Sequence, residues 1–419
     1  MATRYWLGTE ATEVQQVANA TFGTYDTATT RKITIGDKVI SAVDSGGTLT
    51  AALSALATLL NASVHPYFAA ITWTSNATQI IGTADTAGCP FVFTASVTGG
   101  TGTCSNAYTV ATANQSAHDW NVAANWSGAT VPVGGDTVII KDTDVDILWN
   151  LDQSAVTLAA LYIHQSFTGK IGLDRTVFPT SHDGETLDTT GPYTEYRDCY
   201  LKISATIYQH GINLSPSSNL TGSPRCLINL GSNASTIEVF NVGTPSEEGR
   251  PALRLLNVHA SSLLYVRYAP GGVGLAVDAP GEVSTVSVVS ISDTSDDSRV
   301  FAGPGCTITT WSQQGGTNIL QAAATVTTVT VNGGTLQSEG DYTITTANCN
   351  GGTFYSNQIK TGGNAITTAN VRGGTLNGLQ SNQARTWATV NFFTGSVQRD
   401  GSVVTITTLT AQRCNLQNA

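Results

Sequence analysis

Apolar residues recur at a fixed spacing through the last third of the chain. Aligned on Ile308, Val326, Ile344, Ile366, Trp387 and Ile406, six units repeat at intervals of 18, 18, 22, 21 and 19 residues. Each starts with an apolar residue and two positions that are mostly Thr, then reaches a turn. Four of the turns read Gly-Gly-Thr, at Gly315, Gly333, Gly351 and Gly373. Thr310, Thr328, Thr346, Thr368, Thr389 and Thr408 occupy one slot in all six units. A second apolar column runs Trp311, Val329, Ala347, Ala369, Val390 and Leu409. A third runs Val331, Cys349, Val371, Phe392 and Ala411, and a fourth Leu336, Phe354, Leu376, Val397 and Leu416. The third and fourth columns fail in the first unit, at Gln313 and Asn318. The second and third columns are two residues apart, which places them on one face of a strand. A unit of this size cannot bury its apolar face alone, but stacked units bury a continuous core. The pattern therefore predicts a parallel β-helix with like residues stacked about 4.8 Å apart. Val331, Cys349, Val371 and Phe392 form an inward column. Thr328, Thr346 and Thr368 form a structural ladder of mutually hydrogen-bonded hydroxyls.

The rest of the chain divides around this repeat. Residues 1–98 read as a small α+β domain. Lys32–Ile40 predicts two short strands about a Gly36-Asp37 turn. Leu49, Leu53, Leu56, Leu59 and Leu60 have helical spacing behind Thr48 as N-cap, with Pro66 blocking continuation. Strand-like runs follow at 69–73, 78–83 and 91–97. Residues 99–117, opening Gly-Gly-Thr-Gly-Thr, have the composition of a linker. From residue 118 to 419 the pattern predicts the β-helix, with no helix after Trp120. Residues 174–226, rich in Pro and charge, are expected as inserted loops, and residues 305–419 as the regular coils. The fold class is mainly β: a small α+β domain followed by a parallel β-helix.

Composition agrees with repetitive β structure. Charged residues make up 11% of the chain, against a usual level of about 25%. The net charge is −10 with no basic run, so the stripe needed to neutralise nucleic-acid phosphates is missing. No apolar run reaches the roughly 18 residues of a membrane span. The first residues lack the layout of a secretory signal, which points to synthesis in a cytoplasm. The seven Cys are odd in number and contain no Cys-x-x-Cys pair, although Cys89 and Cys104 could pair across a short loop.

Candidate chemistry is sparse. Asp142, Asp144 and Asp146 would share one face of a strand, and three carboxylates in a row suit solvent or a Ca²⁺ ion. Asp293–Asp297 lacks the Gly and distal Glu of an EF-hand loop and reads as an exposed turn. Asp183 and Glu185 beside His182 are the remaining candidates for acid chemistry. His118-Asp119 reads as a structural hydrogen bond, and Cys349 as a packed thiol. No nucleophile elbow, phosphate loop or dinucleotide fingerprint is present, so neither catalytic residues nor a cofactor is expected.

Two stretches carry a resemblance. Thr50–Asn61, Pro66–Thr72 and Thr83–Thr94 together resemble a small domain at the start of structural proteins of tailed bacteriophages and prophages. Trp120, Asn125-Trp126-Ser127, Pro132 and Asp136 are similar to the entry of β-solenoids in bacterial surface proteins and phage fibres. The resemblance implies a virion component: a projecting β-helical decoration, fibre or spike with an N-terminal attachment domain. Its implied partners are further copies of itself (as a trimer), other virion proteins and host-surface glycan. The alternatives are a tailspike-like polysaccharide depolymerase and a bacterial surface adhesin.

Overall fold

The computed structural model describes residues 1–8, 12–36, 38–164, 166–172, 177–178, 181–182, 187–188, 193–194, 200–209, 226–231, 234–240, 251–277, 282–358, 364–379 and 383–411. In the N-terminal region, Thr48 caps helix α1 (Leu49–Ala62) by accepting from Ala51 N at 3.2 Å. Leu53, Leu56 and Leu60 face inward, while Leu59 points to solvent. Pro66 opens rather than forbids a helical turn, α2 (Pro66–Ala69), because its fixed φ suits a first helical position.

Two antiparallel sheets complete this unit. One pairs β3 (Thr30–Ile35) with β4 (Lys38–Val43) and β7 (Thr94–Thr98). The other has the order β5 (Ile71–Ser75), β6 (Gln79–Ala84), β2 (Val17–Gly23), β8 (Thr103–Thr112). Both sheets and α1 share one core, built on Phe22, Ile33, Leu56, Phe68, Trp73 and Phe93.

Residues 99–117 are therefore not a linker. Most of them form β8, paired along β2, and the glycines belong to the turn that feeds it. Asp26 holds that turn, accepting from Thr101 N at 2.6 Å and Thr101 Oγ1 at 3.0 Å. Gly99 has φ +70°, and a Cβ there would strike the Ala28 carbonyl oxygen. Flexible joints and tight turns draw on the same residues, so composition alone does not separate them.

The parallel β-solenoid spans residues 137 to 411. Each coil contributes strands that pair with their equivalents one coil on. Val326–Val331 pairs with Ile344–Cys349, and Thr335–Gly340 with Thr353–Gln358. The Gly-Gly-Thr repeat has a steric cause. Gly334 and Gly352 take φ of +67° and +64°, and a Cβ on either would run into the carbonyl of the coil before.

The first rung comes from the other end of the chain. β1 (Thr3–Tyr5) pairs in parallel with β9 (Thr137–Ile140), so the opening residues belong to the solenoid and not to the α+β unit. That unit is an insertion closed by a bridge between Val14 and Gln115. Trp6, Trp120 and Trp126 pack edge to face, with centroids 5.0 and 4.6 Å apart, and cover the start of the solenoid core. Two 3-10 turns, Ala123–Asn125 and Ser127–Ala129, are the only helical elements after Trp120 among the described residues. Residues 174–226 are not wholly inserted loop, because Leu201–Ser204 and Ile207–Gln209 are rungs of the solenoid.

Candidate functional site on the solenoid face

The register places the repeat columns as the sequence implies. Thr310, Thr328, Thr346, Thr368, Thr389 and Thr408 are successive partners. Two positions further along the strands lies a polar column of Ser312, Thr330, Asn348, Asn370 and Asn391. It is this second column that carries side-chain hydrogen bonds between coils. Asn348 Nδ2 donates to Thr330 Oγ1 at 3.3 Å, Asn370 Nδ2 to Asn348 Oδ1 at 3.0 Å, and Asn391 Nδ2 to Asn370 Oδ1 at 3.0 Å. The expected bonding within the Thr ladder is thus corrected. An amide donates and accepts at once, so stacked Asn forms a chain of bonds along the rod.

Val331, Cys349 and Val371 are buried in the inward column. Phe392 packs on the same core but is half-buried, because only one further rung, Val404–Ala411, covers it. Burial pushes the Cys349 thiol up to about 12, so it stays protonated and unreactive. Where the inward pattern fails, the core holds a closed polar cluster. Gln313 Oε1 accepts from Trp311 Nε1 at 3.0 Å and from Asn318 Nδ2 at 3.2 Å. Gln313 Nε2 donates to Gly333 O, and Asn318 Oδ1 accepts from Val300 N. Each amide meets its partners without water.

The acidic candidates are used to hold backbone. Asp142, Asp144 and Asp146 do not lie on a strand, and Asp142 has φ +53°. Asp142 pairs with Lys141 at 3.1 Å, and its carboxyl is held below the usual range by hydrogen bonds from Ser166 and Lys141. Asp146 Oδ1 accepts from Lys170 N at 2.7 Å. Among the described residues, no group of three or more His, Cys, Asp or Glu side chains is placed to hold a metal ion. The Ca²⁺ arrangement expected of the three Asp is therefore not formed.

Asp293 is buried, not exposed, and accepts from Ser295 N, Ser295 Oγ and Ser298 Oγ. His118 Nδ1 contacts Asp146 O at 3.1 Å, while Asp119 accepts from Asn114, Asn121 and Asn150. Cys89 and Cys104 are both free. Asp183, Glu185 and the His182 side chain lie outside the described residues.

Sequence reasoning misses one buried ion pair. Arg31 forks onto Asp44 through Nε and Nη2, both at 2.7 Å. Its signal is a charged residue at an inward position of a strand, which also occurs in exposed edges. No helix among the described residues is long and apolar enough to cross a membrane. Compared with protein-family models, curated proteins and solved structures, the chain matches none of them.

Proposed function

We propose that the chain is a non-enzymatic rod of a bacteriophage virion, with its inserted α+β unit as the particle-attachment module. The observation that carries this reading is the insertion itself: a compact unit with its own core, closed at Val14 and Gln115, set at the capped start of a stacked solenoid. The resemblance of 50–94 to phage structural domains supplies the particle. The acids that a depolymerase would need are engaged in capping backbone amides, as at Asp136, Asp146 and Asp293.

Self-association follows from the far end. Leu409 belongs to a column whose earlier members are fully buried, yet it is 60% exposed on the final described rung. An open rung with unpaired edge groups and an apolar column favours contact with another copy.

The test keeps β1 and excises residues 15–114, joining the bridged ends. The excised rod should fold and fail to join particles. Normal incorporation of the excised rod refutes the attachment assignment, and glycan cleavage by the intact chain refutes the non-enzymatic one.

A further inference from the structure

One outward column changes its chemistry partway along the rod. Followed through the strand register, it runs Tyr5, Ile139, Tyr162, Tyr208, Glu238, Tyr265, then Ser290, Ser312 and the Asn ladder. The first part is aromatic and the second is hydroxyl and amide. Tyr5 and Tyr265 are each 37% exposed. Phe240, two residues beyond Glu238 on the same strand face, is 55% exposed. The next rung places exposed Arg267 alongside Phe240, since Val239 pairs with Val266. At the other end Lys141 Nζ lies 5.6 Å over the Tyr5 ring.

The stripe from Tyr5 to Tyr265 covers five rung spacings, about 24 Å. Aromatic residues on a solvent face, repeated in register and interleaved with Glu238, Lys141 and Arg267, are not needed by the core beneath them. That core is filled by the alternate residues Ile140, Ile163, Val239 and Val266. The ligand must therefore be extended and amphipathic along its length.

We infer that this stripe binds a polysaccharide chain lying along the rod. A sugar ring offers an apolar C–H face to an aromatic ring and a rim of hydroxyls to charged neighbours, and a glycan repeats both at every residue. A peptide strand would add to a free sheet edge, but the strands bearing Tyr162 and Tyr265 have partners on both sides. A nucleic acid would need a basic stripe, which a chain of net charge −10 with Glu238 in the column does not offer. The inference rests on the rod reading, because it needs the stacked face to be presented to solvent.

The test applies the full chain to a printed array of bacterial capsular and O-chain polysaccharides, with dextran and hydroxyethyl cellulose. Any glycan retained is then used for affinity electrophoresis with variants. The double variant Phe240→Ala/Tyr265→Ala should weaken retention at least tenfold. Asn370→Ala, on the same column beyond the stripe, should leave retention within twofold. Circular dichroism checks that both variants fold. Binding to no glycan, or equal retention by the double variant, overturns the inference. Loss of a protein partner with the double variant, without glycan retention, also overturns it and gives the stripe to that protein. Particle incorporation of the double variant separates the two readings: it should be normal if the rod role stands and only the glycan site is wrong.

Discussion

Replacing Val371 by Asp tests the inward column directly. Val371 is fully buried, with Cys349 on the coil before and Phe392 on the coil after as register partners. A carboxylate there meets no cation or donor in its column. It stays neutral at pH 7 only by raising its pKa at least three units above the ordinary 3.9, which costs about 4 kcal/mol. Loss of the Val burial adds about 2 kcal/mol. The sum is comparable with the whole margin of a typical domain, about 5–15 kcal/mol.

The pH dependence has a definite sign. The unfolded chain ionises near pH 4 while the folded one does not, so the damage grows as pH rises above 4. The slope is about 1.4 kcal/mol per unit. At pH 4 only the packing loss and the unpaired acid remain. The control is Arg372→Asp, one residue on and exposed, where the side chain gives up a 3.4 Å contact with Asn348 Oδ1 and a face on Phe393. That change should cost less than about 1 kcal/mol. Urea titrations at pH 4 and pH 7, with hydrogen exchange over Ile366–Gly378, measure both variants. Equal destabilisation by the two, or a Val371→Asp penalty independent of pH, refutes the assigned register.

Other outcomes follow from single contacts. Asp44→Ala should destabilise the α+β unit by about 3–5 kcal/mol, because it strands a buried guanidinium, whereas Arg31→Met/Asp44→Leu should recover most of the loss in thermal melts. Cys226, Cys306 and Cys349, whose thiols burial pushes up to about 12, should resist iodoacetamide at pH 8 until urea is added, as mass spectrometry would show. Asp136 accepts from Ala2 N at 2.7 Å and is held below the usual carboxylate range chiefly by that bond. Its contribution is present above about pH 4 and fades as pH falls through its lowered pKa. Amides of β1 should then exchange faster in acid, and Asp136→Asn should abolish that pH dependence.

The regular coils were legible because a parallel register stacks equivalent residues. The constraint on one coil is repeated in the next, and the repeat appears directly as columns such as Val331, Cys349 and Val371. The same holds for the Gly-Gly-Thr turns, where a carbonyl of the previous coil leaves no room for a Cβ. The helix behind Thr48 was legible for a local reason, a cap and an apolar period within one segment.

What the tertiary structure alone decided involves distant partners or unequal spacing. β1 is assigned to the solenoid by its pairing with β9, more than a hundred residues away, and nothing in Thr-Arg-Tyr announces that. Residues 99–117 became a strand because Val17–Gly23 offers a free edge and Asp26 fixes the turn. Asp142, Asp144 and Asp146 lost their common face because the chain turns at Asp142 with positive φ. The aromatic column escaped the sequence for the same physical reason that the Thr ladder did not. Upstream coils differ in length, from the 46 residues between Leu161 and Ile207 to the 25 between Leu264 and Val289, so residues that stack in space hold no period along the chain.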